Sequence, residues 1–233
     1  MDHINTLTNL EGYVIFEKLI PTNLIDNLLL RVDELYPVRA SSHNHDYAEK
    51  QDIKKLKQVS VWWSQFVNEF DEVKEIQAII DPIIKPNLNN GVFYASDMVI
   101  IEPHSEWINP HVDTPYRFKQ YNFDERLLGI QCIVALNDLD NSNGATGLVP
   151  FSQKRNFAID MCYNGYYDHY FKKNVIQNKL PKGSLLMYNC RVLHSSMPNP
   201  TDKPRVALLL NYVSGDIVDD LKNIDNIWKS NGK

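Results

Sequence analysis

The side chains best suited to chemistry lie between residues 109 and 205 of this chain. In Asn109-Pro110-His111-Val112-Asp113-Thr114, an imidazole and a carboxylate stand two residues apart. On an extended backbone residues i and i+2 point the same way, so His111 and Asp113 can grip one ion together. His-x-Asp alone occurs often by chance and describes a surface pair equally well. A second stretch changes that reading. Gly183–Tyr188 has the composition of a strand and leads through Asn189-Cys190-Arg191-Val192-Leu193 to His194-Ser195-Ser196, which places His194 at a strand end. Two imidazoles and one carboxylate make the facial triad of a non-haem Fe(II) site, with three coordination positions left open. Two of those suit a bidentate 2-oxo acid and the third suits O2.

Arg205 lies eleven residues after His194 and opens the run Arg-Val-Ala-Leu-Leu-Leu-Asn-Tyr. Period two sets Arg205, Ala207, Leu209 and Asn211 on one face and Val206, Leu208, Leu210 and Tyr212 on the other. Only the first face carries a charge. A buried guanidinium needs an anion, and its planar fork suits a carboxylate such as the distal one of 2-oxoglutarate. Gln131 shares a strand face with Gly129, Ile133 and Ala135, where a buried amide would need partners; a solvated sheet face explains it equally well.

These residues need a scaffold, and the first ninety positions read differently from the rest. Gly12–Phe16 is a short β-rich run. Thr22 can cap a helix with Leu24, Ile25, Leu28, Val32 and Leu35 on one face, ended by Pro37. Residues 40–58 are polar and read as a loop or solvated helix. Phe66, Phe70, Val73, Ile76, Ile79 and Ile80 have helical spacing until Pro82 and Pro86 break it. From Gly91 onward come strand-length runs at Gly91–Ile101, Leu127–Leu136, Ala145–Val149, Gly183–Tyr188 and Arg205–Val213, divided by turn residues. Helices first and then strands without alternating helices predict an antiparallel β sandwich or barrel braced by helices.

Composition narrows the function classes. Hydrophobic residues at 43% and charged residues at 23% are ordinary for a globular chain. Lys plus Arg number 24 against 29 Asp plus Glu, a net charge of −5, which argues against a general nucleic-acid or acidic-membrane binder. Cys132, Cys162 and Cys190 form no C-x-x-C pair, so neither a disulfide framework nor a zinc ribbon is indicated. The N-terminus lacks a basic segment followed by an apolar one, and no apolar run reaches bilayer length. A soluble, cytoplasmic protein of one domain, 1–233, is the expectation. Oligomeric state is not legible.

Four segments, taken in order, make the sequence resemble the phytanoyl-CoA dioxygenase family of Fe(II)/2-oxoglutarate-dependent oxygenases from about Gly12 to Val213. They are Gly12-Tyr13-Val14-Ile15-Phe16-Glu17 with its following helix, His111-Val112-Asp113, Asn143-Gly144-Ala145-Thr146 through Lys154, and Gly183 through His194-Ser195-Ser196 to Pro204-Arg205. The resemblance implies a double-stranded β-helix (jelly roll) over about 91–213, after a helical part over about 17–90, with iron between its sheets. It also implies that Ser196 joins Arg205 in holding the 2-oxoglutarate C5 carboxylate; an extended backbone past His194 would aim Ser196 at the same cavity. Fe(II), 2-oxoglutarate and O2 are the implied cofactors, a small molecule is the expected partner, and neither nucleic acid nor membrane is expected. Related halogenases carry a small residue at the carboxylate position, so Asp113 favours hydroxylation.

Phe151 and Gln153 stand where the family usually has Gly and His, a departure expected to reshape the substrate pocket. The connection from Thr114 to Arg126 is long, aromatic and basic, and loops beside a metal often close over substrates. Within it, Arg117 and Arg126 are candidates for an anionic substrate group, against the plainer reading of solvated loop charges. His43-x-His45-Asp46 reads as a solvated loop, His104 and His169 as surface or outer groups, and Trp62, Trp63 and Phe66 as packing. The alternative function is a non-redox jelly-roll protein that binds a metal or ligand; it would not need Arg205 to face the cavity. A cupin-type isomerase would more naturally use a His-dominated ligand set.

Overall fold

The computed structural model describes residues 3–40, 59–62, 68–106, 108–157 and 165–231. The predicted alternation along Arg205–Val213 (here β9) organises the whole structure. Val206, Leu208, Leu210 and Tyr212 join Met98, Ile100, Cys132, Val134 and Met187 on one side of a sheet. That face packs on Ile25, Leu28 and Val32 of α2 (Thr22–Ala40) and on Val73, Ile76 and Ile80 of α3 (Asp71–Ile84). The opposite face, with Ile133, Ala135, Leu186, Tyr188 and Ala207, forms a second core with Leu148. Two helices therefore seal the outer face of the sheet, and its inner face is left for the site.

In chain order the remaining elements are α1 (His3–Asn9), β1 (Tyr13–Phe16), β2 (Val59–Trp62), β3 (Val92–Ile101), β4 (Gly129–Ala135), β5 (Thr146–Leu148), α4 (Asp168–Asn174), β6 (Ile176–Gln177), β7 (Leu185–Asn189), β8 (His194–Ser196) and α5 (Val218–Asn231). The larger sheet has the order β1-β7-β4-β9-β3-β2 and the smaller β6-β5-β8, with antiparallel pairing throughout. Isolated bridges at His111↔His194, Ser105↔Asn199 and Leu139↔Leu180 pair the connecting segments with β8 and with one another. This is the expected mainly β, jelly-roll architecture with flanking helices.

Some boundaries differ from expectation. α2 runs through Pro37 to Ala40, and α3 runs through Pro82 to Ile84 before a single 3-10 turn at Lys85–Asn87. A proline removes one backbone donor from a helix, and packing can carry the helix past that loss. Asp71 and Glu72 in the first turn of α3 also suit the helix dipole. His194 does not end the strand that begins near Gly183: β7 stops at Asn189, a tight turn follows, and His194 opens β8 in the other sheet. His43, His45, Asp46, Trp63, Phe66 and Cys162 lie outside the described residues.

Candidate metal centre

His111 and His194 face each other across a backbone bridge. The His111 N–H donates to the His194 carbonyl at 2.9 Å, and the His194 N–H donates back at 3.0 Å. This reciprocal pair sets the separation of the two rings, whose centroids are 4.3 Å apart. Two residues on, the Asp113 N–H donates to the Cys190 carbonyl at 2.8 Å, tying the third group to the turn that leads into β8. His111 belongs to a bridge and Asp113 to no named strand, yet both side chains reach the same point.

The ring nitrogens are oriented from behind. His111 Nδ1 lies 2.9 Å from the Asn109 carbonyl, and His194 Nδ1 lies 2.9 Å from the Val192 carbonyl. A carbonyl only accepts, so each Nδ1 carries the proton and each Nε2 offers its lone pair forward. Those Nε2 atoms sit 3.9 Å and 3.2 Å from the two Asp113 carboxylate oxygens. An ion about 2.1 Å from three donors at right angles would set them about 3 Å apart, so one ion fits with a small closure. Together with the nitrogen–nitrogen separation, the three ligand atoms lie within 4.8 Å of one another. Burial pushes His111 down to about 4, and the positive field of His194 adds to that. Burial would raise Asp113, but the charge and hydrogen bond of His194 outweigh it and hold the carboxyl below its usual range. Burial likewise opposes a proton on His194, and Asp113 wins, raising it. A carboxylate and two imidazoles aimed at one point are the donor set that a divalent iron takes.

Tyr188 supplies a brace that the sequence did not advertise. From β7 its hydroxyl donates to Asp113 Oδ2 at 2.9 Å, which fixes the carboxylate plane. Finding this contact from sequence would have required knowing that residue 113 crosses over β7.

Arg205 is the most telling neighbour. It is 1% exposed, on the inner face of β9 as the alternation predicted. Its fork donates to Thr146 Oγ1 at 2.9 Å, and among the described residues its Nε has no partner. Among the described residues no carboxylate pairs with it, and burial lowers its pKa to about 10. Thr146 stands across from Ser196 in the β5–β8 register, so Ser196, Thr146 and Arg205 gather at one end of the inner space. Gln131 is buried on the same inner face, where its Oε1 accepts from Asn211 Nδ2 at 2.8 Å. Asn211 Oδ1 is buried and has no partner among the described residues.

The sequence pattern of the family described as phytanoyl-CoA dioxygenase (PhyH) matches residues 8–207. The chain belongs to that family. Iron, 2-oxoglutarate and O2 are the cofactor set of the PhyH class. No curated protein sequence matches the chain. Solved structures do. The non-haem alpha-ketoglutarate-dependent epimerase SnoN from nogalamycin biosynthesis superposes with a TM-score of 0.67 at 15% identity, covering 91% of this chain and 82% of its own. EctD from S. alaskensis with bound Fe gives 0.70 at 12% identity, with 92% and 76% covered. HygX from Streptomyces hygroscopicus, with nickel and 2-oxoglutarate bound, gives 0.63 at 12%, with 92% and 87% covered. At these identities the likeness concerns the fold.

Within this PhyH chain, the turn at 151–153 packs against the N-terminal segment. Phe151 has φ +62°, the left-handed region that favours the usual glycine. Its N–H donates to the Glu11 carbonyl, and Gln153 Nε2 donates to the Leu10 carbonyl at 2.8 Å, so the turn clasps the N-terminal segment. Ser152 accepts from the Leu193 N–H at 2.8 Å and thereby steadies the approach to His194. The loop after Asp113 is also pinned. The buried Tyr116 hydroxyl donates to the Arg126 carbonyl, and Tyr121 donates to Asp220. Arg126 is paired with Asp124 at 2.7 Å and Asp216 at 3.1 Å, a solvated surface charge. Arg117 instead lies on the site side, where its charge reaches His111 and Asp97. His104 pairs with Asp202 at 2.9 Å at the surface, and His169 is exposed. No helix among the described residues is long and apolar enough to cross a membrane.

Proposed function

We propose that this protein is an Fe(II)- and 2-oxoglutarate-dependent dioxygenase that hydroxylates an aliphatic C–H bond of a small molecule and releases succinate and CO2. The observation that carries the reading is Arg205, a buried guanidinium with no carboxylate partner among the described residues, on the sheet face that bounds the triad. Burying a charge with no counter-ion is costly, so its persistence calls for an anion from outside. A binding protein that held only a metal would have no use for it.

In this reading His111, Asp113 and His194 hold the iron. Arg205, Thr146 and Ser196 receive the C5 carboxylate of 2-oxoglutarate. Gln131, with Asn211 behind it, offers its amide to the cosubstrate from the inner face. When bound, iron with 2-oxoglutarate supplies oxidising power from O2, chemistry that no side chain here can provide. The chain supplies the rest. Asn109 and Val192 carbonyls keep both imidazoles in the ligating tautomer, Tyr188 stops Asp113 from rotating, and the apolar walls from Ile133, Leu186 and Ala207 keep the space dry. The retained carboxylate at Asp113 occupies the place a halide would need, which favours hydroxylation over halogenation.

The test is an anaerobic titration of metal-free protein with Fe(II) and 2-oxoglutarate, followed in the visible range. Chelation of the keto acid gives a weak charge-transfer band without any knowledge of the substrate. The band should vanish in His111→Ala and weaken in Arg205→Ala. Tight metal binding with no band would reject the oxygenase reading in favour of a metal-binding jelly roll.

A further inference from the structure

β3 carries one charged residue, Asp97, within Val-Phe-Tyr-Ala-Ser-Asp-Met-Val-Ile-Ile. In the β3–β9 register Asp97 is paired with Leu209, Val99 with Ala207, and Ile101 with Arg205. Paired residues in an antiparallel ladder share a face, so Asp97 stands on the inner face with Arg205 and away from the helices. Its neighbours Met98 and Ile100 belong to the helix-side core, which confirms the alternation. Asp97 is partly buried, and among the described residues its carboxylate has no hydrogen bond or ion pair. Two charges reach it through space: Asp113, a metal ligand in the reading above, and Arg117 from the loop that follows. Burial, then Asp113, pushes it up to about 7 although Arg117 pulls the other way. A strand interior would ordinarily place an apolar residue here. An unpaired carboxylate in an enclosed site costs free energy, and a cationic guest would recover it.

We propose that Asp97 is the specificity carboxylate of the substrate pocket and that the substrate carries a basic nitrogen, an ammonium or guanidinium group, which pairs with it. The assignment rests on the dioxygenase reading, deepens it by naming a substrate class, and has its own test. A hydroxyl could also reach Asp97, but it would leave the negative charge uncompensated beside Asp113. A carboxylate-bearing group would add a third negative charge.

The experiment uses the full chain loaded with Ni(II) and 2-oxoglutarate, which cannot turn over. Isothermal titration at pH 7.5 measures pentylamine, cyclohexylamine and benzylamine against the matching alcohols and carboxylates. On at least one skeleton the amine should bind at least tenfold more tightly than its alcohol. Asp97→Asn should remove that preference, and Asp97→Ser serves as a second variant if the first misfolds, with near-UV circular dichroism as the folding control. No amine preference on any skeleton overturns the proposal, as does a preference that survives in both variants. Wild-type protein that binds nickel but not 2-oxoglutarate would instead overturn the dioxygenase reading. The amine comparison is then read on the nickel form alone.

Discussion

Arg205→Met separates a structural arginine from one kept for a ligand, because the two roles predict opposite signs for stability. Arg205 is 1% exposed, and burial takes its pKa from 12.5 to about 10. That difference corresponds to about 3 kcal/mol spent on keeping the charge in place. Methionine fills a similar space without the charge. Removing the fork also strands the Thr146 hydroxyl, which costs about 1 kcal/mol. The metal-free, ligand-free variant should therefore gain about 2 kcal/mol in urea denaturation. Affinity for 2-oxoglutarate should move the other way. Losing a charge-assisted pair to a carboxylate costs roughly 2–5 kcal/mol, which is roughly 30-fold or more in dissociation constant. Isothermal titration of the Ni(II)-loaded variant with 2-oxoglutarate measures it. A variant destabilised by 2 kcal/mol or more, with unchanged affinity for the keto acid, would refute the reasoning: Arg205 would then be a packing residue.

Four further outcomes follow from the same contacts. Tyr188→Phe removes the donor to Asp113 Oδ2 and should weaken Ni(II) or Zn(II) binding roughly 10–100-fold, whereas unchanged affinity would show that the hydroxyl orients nothing. Phe151 combines φ +62° with an exposed ring, so Phe151→Gly should raise stability by about 0.5–1 kcal/mol; a lower melting temperature would mean the ring packs more than its exposure suggests. Asp97 is raised to about 7 in the fold from 3.8, so its stabilising share is present below the lower value and is lost as pH rises through the higher. Metal-free protein should therefore lose at most about 4 kcal/mol from this group between pH 4 and 8, and Asp97→Asn should flatten that slope in denaturation curves taken across the range. Chelation of the metal should leave the far-UV circular dichroism spectrum unchanged, because backbone hydrogen bonds hold His111 against His194; loss of β signal would show that the ion builds the site.

The strands were legible where alternation ran long enough to be read. Arg205–Val213 comes out with the expected bounds because one face had to be apolar throughout while the other began with a cation and carried an amide at Asn211. Three-residue β8 has no periodicity to detect, and its separation from β7 depends on a turn in which Cys190 and Arg191 carry no glycine or proline signal. The helices α1, α4 and α5 and the strands β2 and β6 went unread for a similar reason: they are short, or they are dominated by polar residues whose burial depends on a distant partner. Pro37 and Pro82 misled in the opposite direction, since a single lost donor does not end a helix whose apolar face is already packed.

The site divides along another line. His111, Asp113, His194 and Arg205 could be read because their chemistry is rare in strands and their spacing is informative. The residues that orient them could not. Tyr188 and Thr146 look like ordinary strand residues until the sheets are stacked, and the carbonyls of Asn109 and Val192 have no sequence signature at all. Asp97 is the single charge inside β3, and only the register with β9 shows which face it shares. Backbone pairing of His111 with His194 sets the two imidazoles, while the proposed cosubstrate end depends on a cation that has no anion among the described residues. The two halves of the site are thus prepared differently. In the proposed reading the metal half is held in place by the protein itself, whereas the Arg205 end is stabilised when a carboxylate arrives, which would make occupancy by the keto acid the step that completes the fold's interior.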